Sequence, residues 1–186
     1  MRIKRAVVLL AVLTVGCAGA PTVVDLPTGG IYHGQELGGT WPVVVLGAPF
    51  PGVAPATLAS IVAAGMPQGL AQNAGFVPAP PGPPPSLPPE RRVVWVFGTG
   101  VTGGDGSAIC QSAGGGGPQG GHVRAYAALC RGPSALSAVE GDVDGVASVD
   151  DPGFRRLVHD MTLELFGRHP DQSPDDRSLR PFGFMR

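Results

Sequence analysis

The alternation of apolar and polar positions marks out a short series of strands and helices. Trp41 to Leu46 (W-P-V-V-V-L) is a β-branched run of the kind that forms a buried strand. Pro55 to Ala64 places Leu58, Ile61 and Val62 at i, i+3 and i+4, an apolar helix face, with Pro55 suited to the first turn and Gly65 to the stop. Arg91 to Phe97 (R-R-V-V-W-V-F) is apolar on both faces, which predicts a central strand. In His122 to Cys130, Val123, Ala125, Ala127 and Leu129 point one way, and Arg124, Tyr126, Ala128 and Cys130 the other. A further strand is weakly indicated over Leu136 to Glu140. The last helix opens at Asp151, an N-cap followed by Pro152 at N1. Its stripe is Phe154, Leu157, Val158, Met161 and Leu165, and Gly167 stops it.

The resulting order, β-α-β-β-(β)-α, predicts an α+β two-layer sandwich, with a three- to four-stranded mixed sheet and two helices on one face. A parallel pairing of the first two strands across the first helix would make a right-handed crossover. Composition places the connectors. Eight of the 21 prolines fall in Pro78 to Pro89, predicting an extended connector over residues 76–90. Eleven of the 30 glycines fall in Gly98 to Gly121, a loop long enough to be functional or disordered. Residues 17–40 read as a polar tether, 41–167 as a single domain and 168–186 as a flexible tail.

The N-terminus carries an address. Arg2, Lys4 and Arg5 form a basic n-region before the apolar stretch Ala6 to Val15, too short to span a bilayer, so residues 1–16 read as a signal peptide. Thr14-Val15-Gly16-Cys17 resembles the lipobox of bacterial lipoproteins, whose cysteine is lipidated and becomes the first mature residue; Thr14 stands where Leu is usual. The competing cut follows Ala18-Gly19-Ala20, but Pro21 resists cleavage there. It would yield a secreted or soluble periplasmic protein. In the lipoprotein reading, Ala18 after the cysteine points to the outer membrane.

Removing residues 1–16 takes three of the 13 basic residues and leaves 10 against 14 acidic, a net charge of about −4, which argues against sequence-independent nucleic-acid binding. Lys4 is the only lysine, so the mature chain has no lysine nucleophile. Cys110 and Cys130 remain as a pair in an oxidising compartment under either cut, so a disulfide is expected in preference to free thiols or a redox pair.

Five short motifs carry a resemblance. They are Pro49-Phe50-Pro51, the strand Arg92-Val93-Val94-x-x-Phe97, Cys130-x-Gly132, Leu136-Ser137-x-Val139-x-Gly141, and the helix entry Asp150-Asp151-Pro152-x-Phe154-Arg155-x-Leu157. Over Trp41 to Phe166 the chain resembles a group of uncharacterised proteobacterial lipoproteins. The resemblance implies an envelope location and supports the architecture; it implies no activity.

Three motifs suggest chemistry. Gly98-Thr99-Gly100-Val101-Thr102-Gly103 has the G-x-G-x-x-G spacing of a dinucleotide-binding turn, but no helix pattern follows to receive the pyrophosphate, so no cofactor is implied. Glu140, Asp142 and Asp144, with Gly145 and Asp151, approximate a calcium loop with acids at positions 1, 3, 5 and 12. Glu at position 1, Ala147 at 8 and Asp at 12 depart from that loop, so a solvated acidic turn into the N-cap is preferred and no metal is assigned. Ser107 does not lie in G-x-S-x-G, and His122 and His159 join no serine-histidine-aspartate set.

The expectation is therefore a lipid-anchored envelope protein: a non-enzymatic binding or assembly accessory, lipidated at Cys17, bridged at Cys110 and Cys130, with an envelope protein as partner. The alternatives are a small-ligand binder or enzyme with Gly98–Gly121 as a lid, and a calcium-stabilised module.

Overall fold

The two-sided apolarity of Arg91–Phe97 puts it in the interior of a six-stranded mixed sheet. The structure is a computed structural model and describes residues 19–28, 39–67, 74–79, 91–98, 105–118 and 120–167. The strands are β1 (Thr22–Asp25), β2 (Gly39–Leu46), β3 (Ala74–Pro78), β4 (Arg91–Phe97), β5 (His122–Arg131) and β6 (Ser134–Asp144). The helices are α1 (Pro55–Gly65), α2 (Gly106–Cys110) and α3 (Pro152–Leu165). The strand order is β1-β6-β5-β4-β2-β3. β2 runs parallel to both β3 and β4, and the remaining pairs are antiparallel.

Each face of the sheet is built by alternation. Trp41, Val43, Val45, Val93, Trp95, Phe97, Ala125, Ala127, Leu129 and Val139 point into the main core, covered by α1 and α3. The α3 stripe is buried throughout, and Asp151 caps the helix by accepting the Gly153 N–H at 2.8 Å. Aromatic rings lock the layers: Phe50 meets Phe154 edge-on at 5.1 Å, and Phe166 packs against both Trp41 and Phe76. Gly141 in β6 lets α3 lie directly on the sheet, since a Cβ there would come within 2.6 Å of Met161 Sδ. On the opposite face, Val94, Val96, Ala128, Cys130 and Ala138 pack against Ile109 and Cys110 of α2.

The expected three- to four-stranded sheet with two helices is therefore corrected to six strands and three helices. The α+β class holds, and α1 and α3 do share a face, but α2 lies on the other. Three elements arise where periodicity is too short to show. β1 spans four residues of the segment read as a tether, and its partner β6 supplies the hydrogen bonds that a short run cannot supply alone. β3 opens the proline-rich connector; at a sheet edge Pro78 is tolerated, and buried Phe76 anchors it. α2 is little more than one turn, capped by the Asp105 carboxylate, which accepts the Ser107 N–H at 2.9 Å. β6 also extends well past Leu136–Glu140, because pairing with β5 carries it to Asp144.

Part of the glycine-rich loop is a structural seam. Gly116 donates to Phe97 O at 2.7 Å and accepts from Ala48 N–H at 2.9 Å, so it bridges the ends of β4 and β2. Three backbones meet there without side chains. A Cβ on Gly47 would fall 2.4 Å from Phe97 O, and one on Gly115 would fall 2.6 Å from Gly47 N. Gly47 also has φ +87, where a Cβ is strained regardless of space. Gly114, in the same run, has open space around it.

Gly47→Ala and Gly115→Ala are each expected to destabilise the protein by roughly 2–4 kcal/mol in urea unfolding. Gly114→Ala should fall within about 0.5 kcal/mol of the parent. Equal losses at all three positions would show that the glycine run is an ordinary loop.

Candidate functional site

The outer face of the sheet, opposite α1 and α3, is divided in two. One part is closed by α2. Cys110 and Cys130 form the expected disulfide, with Cα atoms 5.7 Å apart, and this bond joins α2 to β5. Beneath it lies Arg92, the cross-strand partner of Cys130 and only 7% exposed. Its Nη2 donates to the Cys110 carbonyl at 2.9 Å, at the end of α2 where a cation is favoured, while Nη1 is buried without a partner. Burial lowers its pKa from the ordinary arginine value. Arg92 thus holds the end of α2 that the disulfide also holds. Sequence reasoning missed it, because an arginine at a strand start reads as solvent-facing; its place in line with Val94 and Val96 was the available signal.

The other part is a polar strip across β5 and β6, exposed at His122 and Asp144 and buried at Tyr126. Cross-strand register pairs His122 with Asp144, Arg124 with Asp142 and Tyr126 with Glu140, so all six side chains share one face. His122 Nδ1 lies 2.8 Å from Asp144 Oδ1, and Arg124 Nε forms an ion pair with Glu140 Oε1 at 3.4 Å. The Tyr126 hydroxyl shares this face with Arg124 and Glu140, whose charges act on it in opposite directions. Thr22 and Val24 of β1 extend the strip, Val24 being 56% exposed.

Glu140, Asp142 and Asp144 are therefore extended strand residues and not a calcium-loop turn. Asp151 is engaged as the α3 cap. Among the described residues, no three His, Cys, Asp or Glu side chains converge as a metal site. His159 sits on α3 beside Asp160 at 3.2 Å, and neither described imidazole is hydrogen-bonded to a hydroxyl or thiol. Ser107 Oγ instead accepts from Ala135 N–H at 3.4 Å, holding α2 to β6. Gly98 ends β4, while residues 99–103 of the glycine motif lie outside the described residues, as do Thr14, Val15, Gly16 and Cys17. The strip thus sets three carboxylates, one guanidinium, one imidazole and one phenol on a single face of β5 and β6, an arrangement suited to polar and charged contacts.

No family model matches the chain, and neither a curated protein nor a solved structure does.

Burial, then the neighbouring Glu140 charge, raise Tyr126 above the ordinary tyrosine value near 10, with Arg124 opposing. An unfolded chain ionises this tyrosine first. The stability contribution is therefore complete below the ordinary value and is lost as pH rises through the folded one. Tyr126→Phe is expected to flatten the fall in the urea midpoint between about pH 9 and about pH 11. An unchanged alkaline slope would place the titrating group elsewhere.

Proposed function

We propose that this chain is a lipid-anchored cell-envelope protein, held on the periplasmic side of the outer membrane, whose small clamped domain is a non-enzymatic binding or assembly accessory. The observation that carries this reading is the junction of signal and fold. The lipobox-like Thr14-Val15-Gly16-Cys17 ends two residues before Gly19, and the Gly19 N–H donates to Asp144 O at 3.1 Å. A cut before Cys17 keeps Gly19 in the mature domain. A cut after Ala20 removes that bond and begins the chain at Pro21, one residue before β1.

Further support comes from the chemistry of the domain. A buried disulfide fits an oxidising compartment. The polar strip of β5 and β6 is the surface this reading gives to a protein partner, one with basic groups opposite Glu140 and Asp142. The alternative of a glycine-rich lid finds no support in residues 113–118, where Gly116 is bonded to both neighbouring strand ends.

Two arms test the proposal. In cells fed a clickable palmitate analogue, the full chain should take up label and sediment with outer membranes, and Cys17→Ser should be unlabelled and soluble. An unlabelled, soluble parent chain would reassign the protein as secreted or periplasmic. A photo-crosslinker at Val24, exposed on the strip, in native envelopes should give a defined adduct that one at Ser60, exposed on α1, does not. Identical adducts from both positions would exclude the strip as the docking surface.

A further inference from the structure

The same junction determines how the domain meets the membrane. If residues 17–40 were a free tether, some two dozen residues would let the domain wander by roughly 25–30 Å and tumble freely. β1 lies inside that segment, paired in register with β6 from Thr22↔Asp142 to Asp25↔Val139. The Gly19–Asp144 bond extends the attachment one step further towards the N-terminus, and the Leu26 N–H to Ala138 O bond, at 2.9 Å, closes its other end. From Cys17 to Gly19 the chain can reach at most about 7 Å.

We propose that the domain is seated directly on the lipid headgroups, with the end of the sheet that carries His122 and Asp144 facing the bilayer. This rests on lipidation at Cys17 and adds to it a fixed orientation. The end in question gathers the start of β1 and β5 and the finish of β2, β4 and β6, with Gly47, Gly98, Gly121 and the turn Gly145–Asp150. The β5–β6 turn at Arg131–Ser134 lies at the far end, about 30 Å away along the ten residues of β5. Asp144 and Asp150 are highly exposed at the near end, with side chains 78% and 84% accessible. Their charge gives no attraction to anionic lipids, so covalent reach and not electrostatics holds the domain down. Added salt therefore does not release the domain.

The absence of lysine after Lys4 supplies a clean probe. Ser148→Lys at the near end and Ser134→Lys at the far end each introduce one side-chain amine at an exposed position. The lipidated full-length proteins are labelled in detergent with an amine-reactive fluorophore, the parent chain reporting any free α-amine. They are then reconstituted into phosphatidylethanolamine–phosphatidylglycerol vesicles containing a headgroup-nitroxide lipid. Label at 148 should be quenched several-fold more than label at 134, at low and high salt alike. A flexible insertion of about 20 residues between Ala18 and Gly19 should equalise the two, since it restores a reach of roughly 25 Å. Equal quenching without the insertion, on protein whose Cys17 peptide carries diacylglycerol by mass spectrometry, overturns the seating and leaves the anchor standing. A Cys17 peptide without lipid overturns both.

Discussion

The ladder between β1 and β6 is the constraint on which the arrangement depends. β1 contributes little apolar area, with Val23 against the core and Val24 largely exposed. It does satisfy the edge of β6, a long strand that would otherwise offer unpaired N–H and C=O groups to solvent and to other chains. It also starts the path across the outer face. Immediately after β1, Leu26 packs into the second cluster and Pro27 accepts the Gly106 N–H at 3.0 Å, so the N-terminal strand and α2 position each other.

That outer face is thin, and small residues explain why. Ala128, Ala135 and Ala138 floor it, and Gly106 sits so close to Ala138 that their Cβ atoms could not coexist. A short helix on such a floor buries little area, which makes covalent attachment worthwhile. Closing the 20-residue separation between Cys110 and Cys130 stabilises the fold by roughly 3 kcal/mol in the chain-entropy view. Arg92 adds a hydrogen bond to the carbonyl of the same cysteine at the cost of a buried, unpaired Nη1. Bridge, arginine and the Leu26–Thr28 crossing all act on one helical turn.

Long periodic segments were legible in the sequence, and short ones were not. The α3 stripe and cap, the α1 face, the central β4 and the alternation of β5 each follow from residue pattern, because each element buries enough side chains to impose its own period. β1, β3 and α2 owe their existence to partners: β6, β2 and the disulfide supply what four or five residues cannot. The glycine-rich segment misled for a related reason. Its composition signals freedom, yet Gly98, Gly115 and Gly116 are places where backbones touch, Gly115 against Gly47. Cys110 and Cys130 could be paired from compartment arithmetic alone. The acids Glu140, Asp142 and Asp144 looked like a loop because alternation in a strand and ligand spacing in a calcium loop share the period of two. Their facing partners His122, Arg124 and Tyr126 became visible only with the register.

What unifies these features is that residues 19–28 belong to the folded body and not to a tether. Closure of the sheet edge and placement of α2 both follow from it. Amide hydrogen exchange tests this directly. The Leu26 N–H is bonded to Ala138, and antiparallel alternation turns the Val24 N–H toward β6 as well. Both amides should exchange orders of magnitude more slowly than an open chain, at rates approaching those of β5. Exchange at open-chain rates, with β5 still protected, would contradict the account and return residues 19–28 to the role of a tether.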